Sequence, residues 1–135
     1  LRFKPPLGLF QRIRTEDGRV DLKKRGIASI VAAARVYAME AGARARPTRE
    51  RLEAAVAAGV VSEDLGLTLI ETYRFLLQVR LRRQLDDLAA GAELSNDVAL
   101  ESLSPPESRH LKEAFVAIRE MQGAVARRYR TDVLG

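Results

Sequence analysis

Residues 62–91, SEDLGLTLIETYRFLLQVRLRRQLDDLAAG, decide how this chain folds. Ser62 is a residue type that caps helix N-termini, and Glu63 and Asp64 put negative charge where the helix dipole favours it. Gly91 is a stop signal. Between these ends Tyr73, Leu76, Leu77, Leu81, Leu85 and Leu88 recur every three or four residues, which predicts one unbroken helix with an apolar seam. At about 1.5 Å per residue it spans roughly 40 Å, so it is the spine of the fold.

Three more segments show the same period. Residues 21–41 carry Ile27, Ile30, Val31, Ala34 and Ala38, with Asp21 as an acceptable N-cap and Gly42 as the stop. Residues 42–47 form a basic loop, and Thr48 is read as the cap of a short helix that ends near Ala58-Gly59. Residues 91–103 read as a polar connector. Ser104-Pro105-Pro106-Glu107 then combines an N-cap serine, a proline at the first helical position and a capping-box glutamate. The last helix follows over 105–130, with Leu111, Phe115, Ile118, Gln122, Val125 and Tyr129 on one stripe. Residues 1–20 differ. Pro5-Pro6 blocks helix, and a turn near Thr15-Glu16-Asp17-Gly18 suggests a short hairpin packing on the bundle. The expected fold is all-α: a four-helix-bundle-like single domain at 21–135 with a short N-terminal extended or hairpin segment at 1–20.

Composition narrows the chemistry. The 135 residues contain no cysteine and one histidine, which removes disulfides, thiolate chemistry and His-based metal clusters. The net charge of +5 rests on 19 arginines and 4 lysines, interleaved with acids over much of the chain. Aromatic residues are 5% of the total, too few for a base-stacking platform, so nucleic acid is not an expected partner despite Arg44, Arg46, Arg49 and Arg51. There is no phosphate-binding glycine loop and no placed catalytic triad. Asp86 and Asp87 are adjacent on a helix and point about 100° apart, a poor metal clamp. No membrane-spanning run or signal peptide is visible, so the chain reads as a cytoplasmic domain cut from a longer protein.

The informative residues are polar ones on apolar stripes. Arg80 and Gln84 fall on the seam of the long helix, Gln122 interrupts the last helix with Lys112 at its edge, and Arg35 lies beside Val31 and Ala38. Burying such groups without partners is costly. Either they converge on one polar site between helices, or each is separately satisfied or snorkels to the surface.

Several segments, in order, resemble a known family. They are Pro5-Pro6-Leu7-Gly8-Leu9-Phe10; Asp21-Leu22-Lys23-Lys24-Arg25-Gly26-Ile27 with Ala34-Arg35-Val36-Tyr37-Ala38; Thr48-Arg49-Glu50-Arg51-Leu52; Leu76-Leu77-Gln78-Val79-Arg80-Leu81-Arg82-Arg83-Gln84-Leu85; and Leu103-Ser104 through Arg109-His110-Leu111-Lys112-Glu113-Ala114-Phe115 to Gln122. Together they are similar to the putative nucleotidyltransferase substrate-binding domain, a helical domain that follows a nucleotidyltransferase domain in signal-transduction proteins. Those proteins often carry cyclic-nucleotide-binding and CBS domain modules as well. The resemblance covers about residues 5–130.

It implies that the catalytic part lies N-terminal to Leu1, with a Gly-Ser turn and paired carboxylates for Mg²⁺ and a nucleoside triphosphate. None of that pattern is here, so this fragment is not expected to catalyse alone and holds no cofactor of its own. The helical domain would close the cleft of the catalytic domain of the same chain and bind nucleotide or acceptor. Asp21, Lys23, Arg35, Arg80, Gln84, Lys112 and Gln122 match recurring family positions and are the candidate substrate-binding residues. Asp21 either caps its helix or pairs with Lys23 or Arg80. The alternative is a helical dimerisation or regulatory docking module with no ligand, and a homodimer is a possible partner state.

Overall fold

The computed structural model describes residues 18–129. In chain order it contains strand β1 (Arg19–Asp21), a π-helical turn (Lys23–Ile27), α1 (Ala28–Ala41), α2 (Thr48–Ala57), α3 (Glu63–Ala89), strand β2 (Asp97–Ala99), a 3-10 turn (Leu100–Ser102) and α4 (Pro105–Tyr129). The four helices pack around one core, with α1 against α2, α2 against α3, and α4 against both α3 and α1. Tyr37, Ile30, Leu52, Leu69, Leu76, Leu111, Phe115, Ile118 and Met121 are its largest fully buried members, joined by Leu22 from the start of the first helix.

The helix ends follow their local chemistry. Ser62 Oγ accepts the Leu65 amide at 3.2 Å. At α4 the capping box closes both ways: the Ser104 amide donates to Glu107 Oε1 at 2.9 Å and the Glu107 amide to Ser104 Oγ at 3.2 Å. Gly42 ends α1 in the left-handed conformation, at φ 69°, which glycine adopts without a Cβ penalty.

Other expectations are corrected. Thr48 is not a cap: Pro47 occupies that position with extended backbone, and Thr48 is buried as the first helical residue. Asp21 closes β1 rather than opening the helix, yet its Oδ1 still accepts the Lys24 amide at 2.9 Å, so the capping chemistry survives. The connector is not wholly irregular, because Asp97–Ala99 pairs antiparallel with Arg19–Asp21, Val20 opposite Val98. Both valines are buried, which fixes the register. Of the turn expected at residues 15–18, only Gly18 is among the described residues, at φ 73°, and the rest of that hairpin lies outside them.

The long seam divides. Leu76 is fully buried and Leu77 half-buried, whereas Leu81, Leu85 and Leu88 are exposed. The buried line of α3 runs instead through Leu69, Thr72, Leu76, Val79 and Asp87. On α4 it continues through Met121 rather than Gln122. The π-helical turn lets the chain enter α1 tight against α3 and α4. A Cβ on Gly26 would sit 2.8 Å from Leu76 Cδ1 and 3.5 Å from Ile118 Cδ1, so glycine here serves close approach rather than an unusual φ.

Candidate functional site

The sequence places Arg80 and Gln84 one turn apart on α3, at the edge of its buried face. Both are half-buried, and both reach one acceptor. Arg80 Nε donates to Asn96 Oδ1 at 2.7 Å, and Gln84 Nε2 donates to the same oxygen at 3.4 Å. Asn96 precedes β2, and its carbonyl accepts the Leu22 amide at 2.9 Å. That bond continues the β1–β2 ladder toward Asp21 and the π-helical turn that begins at Lys23. Four candidate residues, Asp21, Lys23, Arg80 and Gln84, therefore share one end of the bundle, with Asn96 as their junction.

One turn further along α3, Asp87 supports the junction from below. It is 7% exposed, and its Oδ2 accepts the Ser95 amide at 2.9 Å while Oδ1 lies 3.0 Å from Arg83 Nε. Burying a carboxylate is tolerated here because an arginine and a backbone amide both meet it. The Asp97 amide donates to Ser95 Oγ at 3.0 Å, so the loop before β2 is tied at successive residues. The guanidinium of Arg80 is held at its Nε edge, and its two terminal nitrogens make no hydrogen bond among the described residues.

The remaining candidates stand apart. Arg35 and Lys112 are exposed on α1 and α4, and Gln122 is half-buried on α4, with no hydrogen bond to the junction among the described residues. Lys112 and Gln122 lie about 15 Å apart along the helix axis, too far to crowd one small group. Asn96 is the junction residue that the sequence passes over, and Asp87 is weighed there only as half of a poor metal clamp. Asp87 is seven residues after Arg80 and shares its helix face, which is a usable signal. Asn96 sits in Ser95-Asn96-Asp97, a polar run with no period.

Ion pairs elsewhere clamp helices. Arg82 of α3 meets Glu107 of α4, and Arg128 of α4 meets Glu40 of α1. The arginine partner holds each carboxyl down at about 2, helped at Glu107 by the Ser104 amide and at Glu40 by Tyr129. Burial, with Glu40 alongside, pushes the Tyr129 phenol up to about 12. The basic loop is partly neutralised: Arg49 pairs with Glu53, and Arg51 Nε donates to the Ala45 carbonyl at 2.9 Å. His110 stacks on Phe75 at 3.7 Å between ring centroids, a packing role.

A groove of about 470 Å³ lies away from the junction, between the start of α3 and the end of α4, lined by Asp64, Thr68, Arg119, Glu120 and Arg127. Its charges are mixed and its arginines and acids are exposed. The junction, by contrast, is a shelf of half-buried side chains with a defined hydrogen-bond pattern. Such a shelf becomes a pocket only when another surface covers it. Among the described residues no group of three or more His, Cys, Asp and Glu converges, so they offer no metal cage. Nor is any of their helices long and apolar enough to cross a membrane.

The pattern of the family described as putative nucleotidyltransferase substrate binding domain matches residues 1–129. The chain belongs to that family. No curated protein and no solved structure matches it.

Proposed function

We propose that this substrate-binding domain closes the cleft of a nucleotidyltransferase catalytic domain preceding it in the same chain, and contacts the nucleotide or its acceptor through the Arg80–Gln84 shelf. The observation that carries the reading is the state of Arg80. Its Nε edge is fixed by Asn96, and the remaining guanidinium nitrogens have no hydrogen bond among the described residues. A guanidinium held on one edge presents a planar pair of donors on the other, the geometry that suits phosphate or carboxylate oxygens. Lys23 adds a second cation at the same end of the bundle, and Gln84 adds an amide able to orient a base or acceptor.

Mg²⁺ and the triphosphate would be held mainly by carboxylates of the catalytic domain, with this domain forming the opposite wall. Arg35, Lys112 and Gln122 then belong to docking rather than to ligand contact. We further propose that the domain works within a cytoplasmic signal-transduction protein bearing CBS or cyclic-nucleotide-binding modules, a reading that rests on the family resemblance alone.

The test uses the full-length protein, titrated with nucleoside triphosphates and Mg²⁺. Loss of a charge-assisted phosphate contact is worth about tenfold in affinity or more. Arg80→Ala and Gln84→Ala should weaken nucleotide binding or transfer while both variants remain folded at the assay temperature, as read by circular dichroism. If both variants bind and transfer as the parent does, the site assignment is wrong.

A further inference from the structure

The chain leaves α3 through a turn that brings it back onto the same helix. The Ala92 amide donates to the Asp87 carbonyl at 2.8 Å and the Gly91 amide to the Leu88 carbonyl at 3.1 Å, with Gly91 at φ 69°, the pattern of a glycine-closed helix end. Asn96, a few residues later, meets Arg80, about 13 Å back along the axis from Ala89 at the end of α3. Asp87 is the waypoint of this return. Its carbonyl takes the Ala92 amide, and its side chain takes the Ser95 amide at 2.9 Å. Ser95 directly precedes Asn96, and its hydroxyl accepts the Asp97 amide at 3.0 Å. The other oxygen of Asp87 lies 3.0 Å from Arg83 Nε, so both carboxylate oxygens are engaged, and the residue is buried. Two helical turns separate Asp87 from Arg80, and the two positions differ by only about 20° around the axis.

We propose that Asp87 is a positioning residue for Arg80: by fixing the Ser95 amide it seats Asn96 on the guanidinium, and so sets where the free donors of Arg80 point. The consequence for binding rests on the proposed contact between Arg80 and a ligand, whereas the mechanical consequence does not. The line of contact is short. Arg83 meets Asp87, Asp87 holds Ser95, one peptide bond joins Ser95 to Asn96, and Asn96 holds Arg80. A carboxylate suits position 87 because two N–H donors converge there, and an amide would offer them a single acceptor oxygen. Arg83 offsets the cost of burying that charge. An arginine side chain has much rotamer freedom to lose, so ordering it before a ligand arrives spares the ligand that loss. The Leu22 amide holds the Asn96 carbonyl from the other side at 2.9 Å, so losing Asp87 frees Asn96 on one side only. The loss of order at Arg80 is therefore partial. Asp87 acts through Arg80 and contacts no ligand itself.

One arm of the test needs no ligand. Nitrogen-15 NMR of the 135-residue chain follows the Arg80 Nε–H, assigned by its absence from Arg80→Ala. Asp87→Ala should raise its exchange with solvent about tenfold. Gly66→Ala, which crowds Val56 at the other end of α3, should leave it at the parent's rate. An unchanged rate in Asp87→Ala overturns the proposal. So does an equal rise in both variants, which would make Asp87 a general stabiliser. If Asp87→Ala does not fold, the parent chain decides: the Ser95 amide should be protected, relative to its free rate, at least as well as Arg80 Nε–H. A Ser95 amide that exchanges freely while Arg80 stays protected overturns the proposal. The second arm titrates the full-length protein with a nucleoside triphosphate and Mg²⁺. Asp87→Ala should weaken binding by up to about tenfold, and adding Asp87→Ala to Arg80→Ala should weaken it no further, because the two act as one unit. Additive losses overturn the positioning role. If Arg80→Ala itself binds as the parent does, the ligand reading falls, and the ligand-free arm alone decides the role of Asp87.

Discussion

Replacing Asn96 by alanine removes one oxygen and leaves two donors searching for an acceptor. The Arg80 bond is charge-assisted, 2.7 Å long and half-buried. Hydrogen bonds to charged groups contribute about 1.5–3 kcal/mol, and partial solvent access moves this one to the lower half of that range. The Gln84 bond, at 3.4 Å, is near the limit of a useful contact and adds at most a few tenths. The expected loss is therefore about 2 kcal/mol, or a fall of roughly 5–10 °C in Tm for a domain of this size. Urea unfolding followed by circular dichroism measures it. The sharper measurement is the cycle of Asn96→Ala, Arg80→Ala and the double variant. Direct contact predicts a coupling of about 1–2 kcal/mol, because once one partner is gone the other has less to lose. A coupling under about 0.5 kcal/mol would show that Asn96 does not hold Arg80, and the oriented-guanidinium argument would fall with it.

Glu40 and Glu107 have folded-state values of about 2, below the ordinary 4.5, so the stability they contribute is present above about pH 4.5 and is lost as pH falls toward 2. Denaturant midpoints across that window should decline, and Glu107→Gln should flatten part of the slope. A Cβ on Gly66 would lie 2.3 Å from Val56 Cγ2, a stiff β-branched neighbour, so Gly66→Ala should destabilise by about 1–3 kcal/mol and Val56→Ala should restore part of it, as read by thermal melts. Leu76→Ala should cost about 2–5 kcal/mol, whereas Leu81→Ala should stay within about 0.5, although both belong to one periodic pattern.

That last contrast shows where sequence reasoning reached and where it stopped. Helix ends were legible because their signals are local: Ser62, Gly42 and the Ser104–Glu107 box each act within four residues. The existence of four helices followed from period alone. The facing of α3 did not, because a helix with two apolar lines gives the same three-and-four spacing as a helix with one broad line. Arg80 and Gln84 stood out as polar residues out of place, and both do lie at the edge of the core. Their shared acceptor was hidden because Asn96 approaches from a loop 16 and 12 residues away, held by a three-residue strand pairing that leaves no periodic trace. Thr48 was misplaced by one residue because Pro47 already has the extended backbone of a cap.

The β1–β2 ribbon carries a consequence for how the molecule assembles. Its partners, such as Arg19 and Ala99, are about eighty residues apart, so closing it carries a loop entropy that α1 and α2, meeting across a short loop, avoid. Contact order therefore predicts that the ribbon, the Asn96 junction and the orientation of Arg80 form after the local helix contacts. Damage there accelerates unfolding more than it slows folding.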